Sequence, residues 1–326
     1  MAVTVSRISG AATRSAAREM RGSVGSAPLN YASISGLRVA YYDSNSGKRN
    51  EQSVHNGQVP VMLIHGFCSM GATWHETFDQ LAVRRRTIAI DLKGFGASDK
   101  PADGDYLIDT HARIIVQLMD ALNIERAVLV GNSLGAGVAL RVAQCWPERV
   151  AKLVLANPLV YHFDKLPLPA RLVLAAYRAM SENLATKVVC RLARVPGLIE
   201  SRLRHAHHLS ATVTPERIAA YSAMLNDPPC QRAVAATLRT LDLRVLERHL
   251  ALVNQHTLII EGQYDRVIPP QCNAQLVNTL PCAERKIMPC GHAPQEEMPE
   301  QFVRLVNEFL ETVSDEKSFH PTSLAR

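Results

Sequence analysis

The 326-residue sequence contains no apolar run approaching the roughly eighteen residues needed to span a bilayer, so no transmembrane helix is expected. Its first thirty residues hold no continuous apolar core of the kind that drives secretion. It has no C-x-x-C spacing, and its seven scattered cysteines (68, 145, 190, 230, 272, 282 and 290) suggest neither a zinc site nor a disulfide framework. A reducing compartment, and with it an intracellular, cytoplasmic location, is the expectation. No block of five or six like charges is present, which argues against a nucleic-acid-binding tail. Charged residues are 20% against the roughly 25% usual in globular domains, while 47% are hydrophobic, so the chain as a whole is not intrinsically disordered.

Lys and Arg number 36 against 30 Asp and Glu, and this excess of six is unevenly placed. Residues 1–30 carry four arginines and one glutamate, and residues 158–250 carry thirteen basic and seven acidic side chains. The remainder is slightly acidic. A basic patch of this kind can steer anionic small molecules toward a site. Residues 1–30 place Arg7, Arg14, Arg18 and Arg21 on one helical face, with Ile8, Ala12, Ala16 and Met20 on or toward the other. That pattern suits an organelle transit peptide, whereas Glu19 and the interspersed glycines suit a solvated, flexible segment.

From Ile34 onward, short apolar runs alternate with helix-period segments. Val59–His65, Thr87–Asp91, Ala127–Val130, Val150–Ala156, His256–Glu261 and Arg285–Met288 read as buried strands, preceded by an antiparallel hairpin around Leu37–Tyr42. Thr73–Ala82, Asp109–Leu122, Leu134–Cys145, Pro270–Leu280 and Glu300–Val313 read as helices. Such alternation predicts an α/β fold, a mostly parallel sheet covered on both faces. The pattern breaks once, between Pro158 and Leu250, where strand signals vanish and Pro/Gly breaks separate helical pieces. A loop of that length without structure is unusual, so a helical cap is expected at 158–250, over the carboxyl ends of the strands. The core is then 31–157 plus 251–314, with a flexible tail at 315–326.

Gly131-Asn132-Ser133-Leu134-Gly135 lies between the strand A-V-L-V and a helix. In that setting G-x-S-x-G forms a turn so sharp that the serine is strained at its apex and only glycine fits where the backbones cross at 131 and 135. A serine hydroxyl needs a base. Among twelve histidines, His292 in Cys290-Gly291-His292-Ala293-Pro294 follows the last expected strand, at the same edge as Ser133. Those on the inserted segment, including His205, His207 and His208, read as solvated, and no converging metal ligands are found. A carboxylate must orient the base. Asp265, after the strand T-L-I-I-E-G, gives the order Ser133, Asp265, His292; Asp242 is the weaker candidate, and Arg266 offers Asp265 an ion pair instead. Oxyanion donors are expected from the backbone N–H of Leu134 and of Phe67 in His65-Gly66-Phe67-Cys68, with Cys68 as the fallback. His65 is expected to orient that loop. Gly94-Phe95-Gly96 lacks the third glycine of a dinucleotide fingerprint, and no cofactor is expected.

His65-Gly66-Phe67, Asp91 to Asp99 (D-L-K-G-F-G-A-S-D), Gly131–Gly135, Pro147-Glu148-Arg149-Val150, Asp265 and Gly291-His292 together resemble the α/β-hydrolase fold family, in its serine branch with a helical cap between the sixth and seventh strands. The likeness runs from about residue 34 to 313. It implies a mostly parallel, eight-stranded sheet, Ser133 as nucleophile, His292 as base, Asp265 as acid, and Phe67 and Leu134 as oxyanion donors. It makes the aspartate–glycine motif at 91–99 architectural.

Epoxide hydrolases and haloalkane dehalogenases share this scaffold but use an aspartate nucleophile, and a serine would be left as a stable ether by alkyl attack. Acyl transfer suits serine better. The leading expectation is hydrolysis of a small-to-medium, largely apolar carboxylic ester, with the apolar segment Leu166–Met180 lining the pocket. The alternative is a C–C bond hydrolase of β-diketone-type ring-fission products. A receptor-like member without turnover, or a lipase at membranes, would be further departures; the inserted segment has no tryptophan to seat in an interface. A small-molecule substrate is expected, without nucleic acid or stable membrane insertion.

Overall fold

A computed structural model of the chain describes residues 23–46, 58–161 and 168–312. The segment read as a transit peptide lies outside these residues up to position 22, and so does the tail 315–326.

One sheet organises the molecule, in the order β1-β2-β3-β5-β4-β6-β7-β8-β9. The strands are β1 (Ser23–Val24), β2 (Ala27–Ile34), β3 (Leu37–Asp43), β4 (Val61–Ile64), β5 (Thr87–Ile90), β6 (Ala127–Asn132), β7 (Val150–Ala156), β8 (Thr257–Gly262) and β9 (Ala283–Met288). The first three join antiparallel, and β3 meets β5 antiparallel; every pair from β5 to β9 is parallel. Strands β4, β5, β6 and β8 are buried along their whole length, which is why they read as continuous apolar runs rather than alternating ones.

Two expectations need correction. The sheet has nine strands rather than eight, and Ser23–Asn30 belongs to it rather than to a flexible segment. A two-residue strand carries no periodicity to read. It is fixed by tertiary bonds instead: the Gly25 amide donates to His75 Nδ1 at 3.1 Å, and the Ser26 amide and hydroxyl both donate to Asp79 Oδ1 at 2.9 Å.

The expected core helices are present as His75–Ala82, Ile108–Ala121, Leu134–Cys145, Pro270–Thr279 and Pro299–Glu311. Between β7 and β8 the chain forms helices Leu168–Ala179, Glu182–Ala193, Leu198–Ala206, Pro215–Leu225 and Pro228–Thr240, and the short Arg244–Glu247. Among these, Pro228–Thr240 is the central element, with Leu168–Ala179 and Glu182–Ala193 packed on it. The first of these two includes most of the apolar segment Leu166–Met180. It docks through Leu174 and Tyr177, leaving Leu168 and Leu172 each 62% exposed and Val173 facing outward.

Sheet order positions the site. The chain passes from β4 to β5 on one side and returns to β6 on the other, so the order reverses between β4 and β6. At that reversal the loops leaving neighbouring strands diverge and open a crevice at their carboxyl ends.

Candidate active site

Ser133 stands at this crevice, between β6 and helix Leu134–Cys145. Its φ of 54° and ψ of −116° are conformations a side-chain-bearing residue rarely adopts. Close backbone crossings hold it there. A Cβ on Gly131 would meet Gly135 O at 2.5 Å, and one on Gly135 would meet His65 O at 2.5 Å. A Cβ on Gly66 would lie 3.2 Å from the Cβ of Ser133. The loop after β4 therefore passes directly over the serine, putting Gly66 and Phe67 on one side of it and the first helical residue, Leu134, on the other. Cys68 has a positive φ of 55°, as the loop turns back. A bond to Asp91 then fixes its far end, where the Gly71 amide donates to Asp91 Oδ1 at 2.6 Å.

His65 is wholly buried and lies beneath this loop. Burial pushes its pKa down to about 4, so the ring is neutral near pH 7. The Leu92 amide donates to its Nε2 at 2.9 Å, which makes Nε2 the acceptor and Nδ1 the N–H that reaches Gly66 O at 2.8 Å. One imidazole thus ties the turn after β4 to the turn after β5. Asp91 does the same for the next turn, accepting the Ala97 amide at 2.7 Å, while the Ser98 hydroxyl donates to the Asp91 carbonyl at 2.5 Å and accepts the Ala40 amide at 2.8 Å. The motif at 91–99 is bound up in the backbone in this way.

Asp265 and His292, 27 residues apart, are brought into contact: Nδ1 of the imidazole lies 2.8 Å from Oδ2. The aspartate side chain is 1% exposed and the histidine 13%. Oδ1 of Asp265 accepts the amides of Val267 at 2.7 Å and Ile268 at 3.1 Å, so both carboxylate oxygens are engaged, and the neighbouring Arg266 is exposed. Asp242 lies elsewhere, gripped by Arg244 with Oδ2 at 2.6 Å. Nδ1 facing a carboxylate leaves Nε2 as the nitrogen free to accept a proton.

The His292 loop is carried back to the elbow by two asparagines that sequence reasoning missed. Asn132 Nδ2, on the residue before Ser133, donates to His292 O at 3.0 Å. Asn157, at the end of β7 with a φ of 42°, donates from Nδ2 to Gly291 O at 3.0 Å and His292 O at 3.1 Å, and its Oδ1 accepts the Gly262 amide at 2.9 Å. An asparagine immediately after an apolar strand was the available signal. Also unanticipated is a buried cluster at the edge of the inserted helices. Arg217 reaches Glu296 at 2.8 Å and Glu76 at 2.7 Å, and the Tyr221 hydroxyl joins Glu296 (3.1 Å) to Ser69 (3.3 Å). Arg217 holds the Glu296 carboxyl below its ordinary range despite complete burial. His207, expected to be solvated, is buried, with Nε2 3.7 Å from Glu296.

No group of three or more His, Cys, Asp or Glu side chains suited to a metal occurs among the described residues. No disulfide joins any of the seven cysteines. No helix among the described residues is long and apolar enough to cross a membrane.

The model of the α/β-hydrolase fold family matches residues 59–299. Among curated proteins, 2-hydroxymuconate semialdehyde hydrolase of Pseudomonas putida is 34% identical over 256 residues, covering 77% of this chain and 86% of that protein. The 2-hydroxy-6-oxononadienedioate/2-hydroxy-6-oxononatrienedioate hydrolase of Burkholderia vietnamiensis is 30% identical, covering 84% of this chain and 91% of its own length. Among solved structures, the meta-cleavage product hydrolase of Pseudomonas fluorescens superposes with a TM-score of 0.67 at 27% identity, over 86% of this chain and 96% of that one.

Proposed function

The chain belongs to the α/β-hydrolase fold family, and from that premise we propose that it hydrolyses a carbon–carbon bond in a conjugated 2-hydroxy-6-oxo dienoate, the class of compound left by oxidative ring fission. The observation that carries this reading is a serine elbow beside an Asp265–His292 pair in a chain whose relatives, at 30% identity and above, are named for such substrates. The ester hydrolase first expected from the triad gives way to this alternative. The serine pattern alone cannot separate the two, because both begin with attack on a carbonyl.

In the proposed reaction, His292 Nε2 takes the Ser133 proton as Oγ bonds to the keto carbon beside the scissile bond. The carbonyl electron pair moves to oxygen, which the N–H groups of Phe67 and Leu134 receive. Collapse of this oxyanion breaks the C–C bond. The bond can break in this way because the substrate first ketonises, its 2-hydroxyl losing a proton while the chain carbon of the scissile bond gains one and becomes saturated. The departing pair then forms a C=C at that carbon and passes through the neighbouring alkene to the 2-keto oxygen, which takes up a proton. Water then attacks the acyl-serine, again through His292, and releases a carboxylic acid. Asp265 keeps the imidazole in the Nδ1–H tautomer and faces the positive charge it acquires. The helices inserted between β7 and β8 act as a cap over this crevice.

The test is a direct competition. The purified protein should turn over 2-hydroxy-6-oxohepta-2,4-dienoate with a kcat/KM at least about tenfold above that for p-nitrophenyl esters. Ser133→Ala should lower kcat by about 10³-fold or more with the unfolding midpoint retained. A preference for the esters would return the assignment to an esterase, and unchanged turnover in Ser133→Ala would end the nucleophile's role.

A further inference from the structure

The dipeptide Glu296-Glu297, four and five residues after His292, is buried at the junction of the inserted helices and the core. Glu296 is accounted for by its arginine. Glu297, 5% exposed, faces backbone amides. Its Oε1 accepts the Gly291 amide at 2.8 Å, and its Oε2 accepts the amides of His208 at 2.8 Å and Leu209 at 2.9 Å. One carboxylate therefore joins the residue before the base to the turn that leaves helix Leu198–Ala206. That turn returns a bond of its own, because the His292 amide donates to the Ala206 carbonyl at 2.7 Å. The same turn reaches the acid's loop, where His208 stacks on Tyr264 with ring centroids 3.8 Å apart. Gly291 has no room for a side chain: a Cβ would lie 2.7 Å from His208 N and 2.8 Å from Glu297 Oε1, and would clash with the Ala206 carbonyl.

We propose that Glu297 is a positioning residue for His292, acting through the 206–209 turn, so that the inserted helices are a fixed support of the base at this edge and not only a cover. The proposal rests on the reading of His292 as the base. A charged acceptor binding three N–H groups is worth more than a neutral one, and the Gly291 N–H, which is buried, would otherwise lose its partner. Loss of the carboxylate frees the turn that holds the Ala206 carbonyl, and the His292 backbone loses its partner. An imidazole displaced by about 1 Å from its line to the serine costs on the order of 10²-fold in rate.

Glu297→Gln, which keeps size but replaces one acceptor with a donor, should lower kcat by roughly 10- to 100-fold on the dienoate with KM within about twofold. The rate at which a fluorophosphonate labels Ser133 should fall in the same proportion. Gly291→Ala, which leaves the charge in place and pushes the turn away, should reproduce the kcat loss. A purely structural role would instead lower the unfolding midpoint and leave kcat of the folded protein unchanged, and kcat within twofold of wild type in both variants overturns the proposal. In the unmodified protein, the amides of His208, Leu209, Gly291 and His292 should exchange with solvent through one shared opening. Protection of 208–209 differing more than tenfold from that of 291–292 overturns the proposal even if neither variant folds. Wild-type protein that neither labels at Ser133 nor cleaves the dienoate defeats the reading of the site. Wild type that labels, with Glu297→Gln labelling equally fast, defeats only the role of Glu297.

Discussion

The serine elbow and the outermost inserted helices solve opposite problems. At the elbow, Gly131, Gly135 and Gly66 bring three backbones to within a Cβ of one another, and the imidazole of His65 pins the neighbouring turns. At Gly131 and Gly135 one added methyl group would collide with backbone. In helices Leu168–Ala179 and Glu182–Ala193, by contrast, Leu172, Val173, Leu184 and Leu192 face outward, and each helix is held by one side only. Where backbone meets backbone the sequence is constrained to a motif. Where a helix leans on its neighbour through a few side chains, many sequences suffice.

That contrast can be tested from its strongest end downward. Gly135→Ala sets a methyl group 2.5 Å from His65 O, against backbone that cannot yield, and should cost more than about 4 kcal/mol in urea unfolding or prevent folding altogether. The junction between the two regions comes next. Arg217→Ala removes the cation facing Glu296, which is 4% exposed, and should destabilise by about 3–5 kcal/mol, because an uncompensated buried carboxylate remains. A loss under 1 kcal/mol would mean that water or His207 replaces the guanidinium without cost.

Acid should act on the core side of the comparison. His65 and His111 are buried with pKa values pushed down to about 4 and about 3, so between those values and the ordinary 6.5 the unfolded chain binds protons that the folded one does not. The stability they contribute is whole above pH 6.5 and declines as pH falls toward their folded values. His111, with neither ring nitrogen hydrogen-bonded, is the cleaner probe. His111→Phe should flatten the fall of Tm between pH 6.5 and 4, whereas a parallel curve would assign the slope elsewhere. At the weak end, Leu172→Ser, on a residue 62% exposed, should shift stability by no more than about 0.5 kcal/mol.

The same division explains what could be read in advance. The β/α alternation, the elbow at Ser133 and the candidates Asp265 and His292 were legible because apolar runs and small-residue turns are local signals. Helix Leu134–Cys145 and strand Val150–Ala156 have the expected boundaries. Strand Ser23–Val24 was invisible because the turn that follows it, Gly25-Ser26, is held by His75 and Asp79, some fifty residues away. Arg217 with Glu296, Glu297 with His208, and Asn157 with Gly291 were invisible for the same reason: a polar residue in a sequence does not declare a partner 79 to 134 positions distant. His207 looked solvated because a histidine beside two others on a helix end carries no mark of burial.

The bonds from Asn132 and Asn157 to the carbonyls of Gly291 and His292 have a consequence for the order in which the molecule becomes reactive. On the proposed reading, Ser133 and the strands beside it are complete by residue 156, but its base, His292, enters about 160 positions later. A chain emerging from synthesis then carries the serine without its proposed base for nearly half its length. Its hydroxyl would acquire the proposed acceptor only with the loop after β9 closed back on the elbow. On that reading, labelling of Ser133 would report closure of the His292 loop onto the elbow.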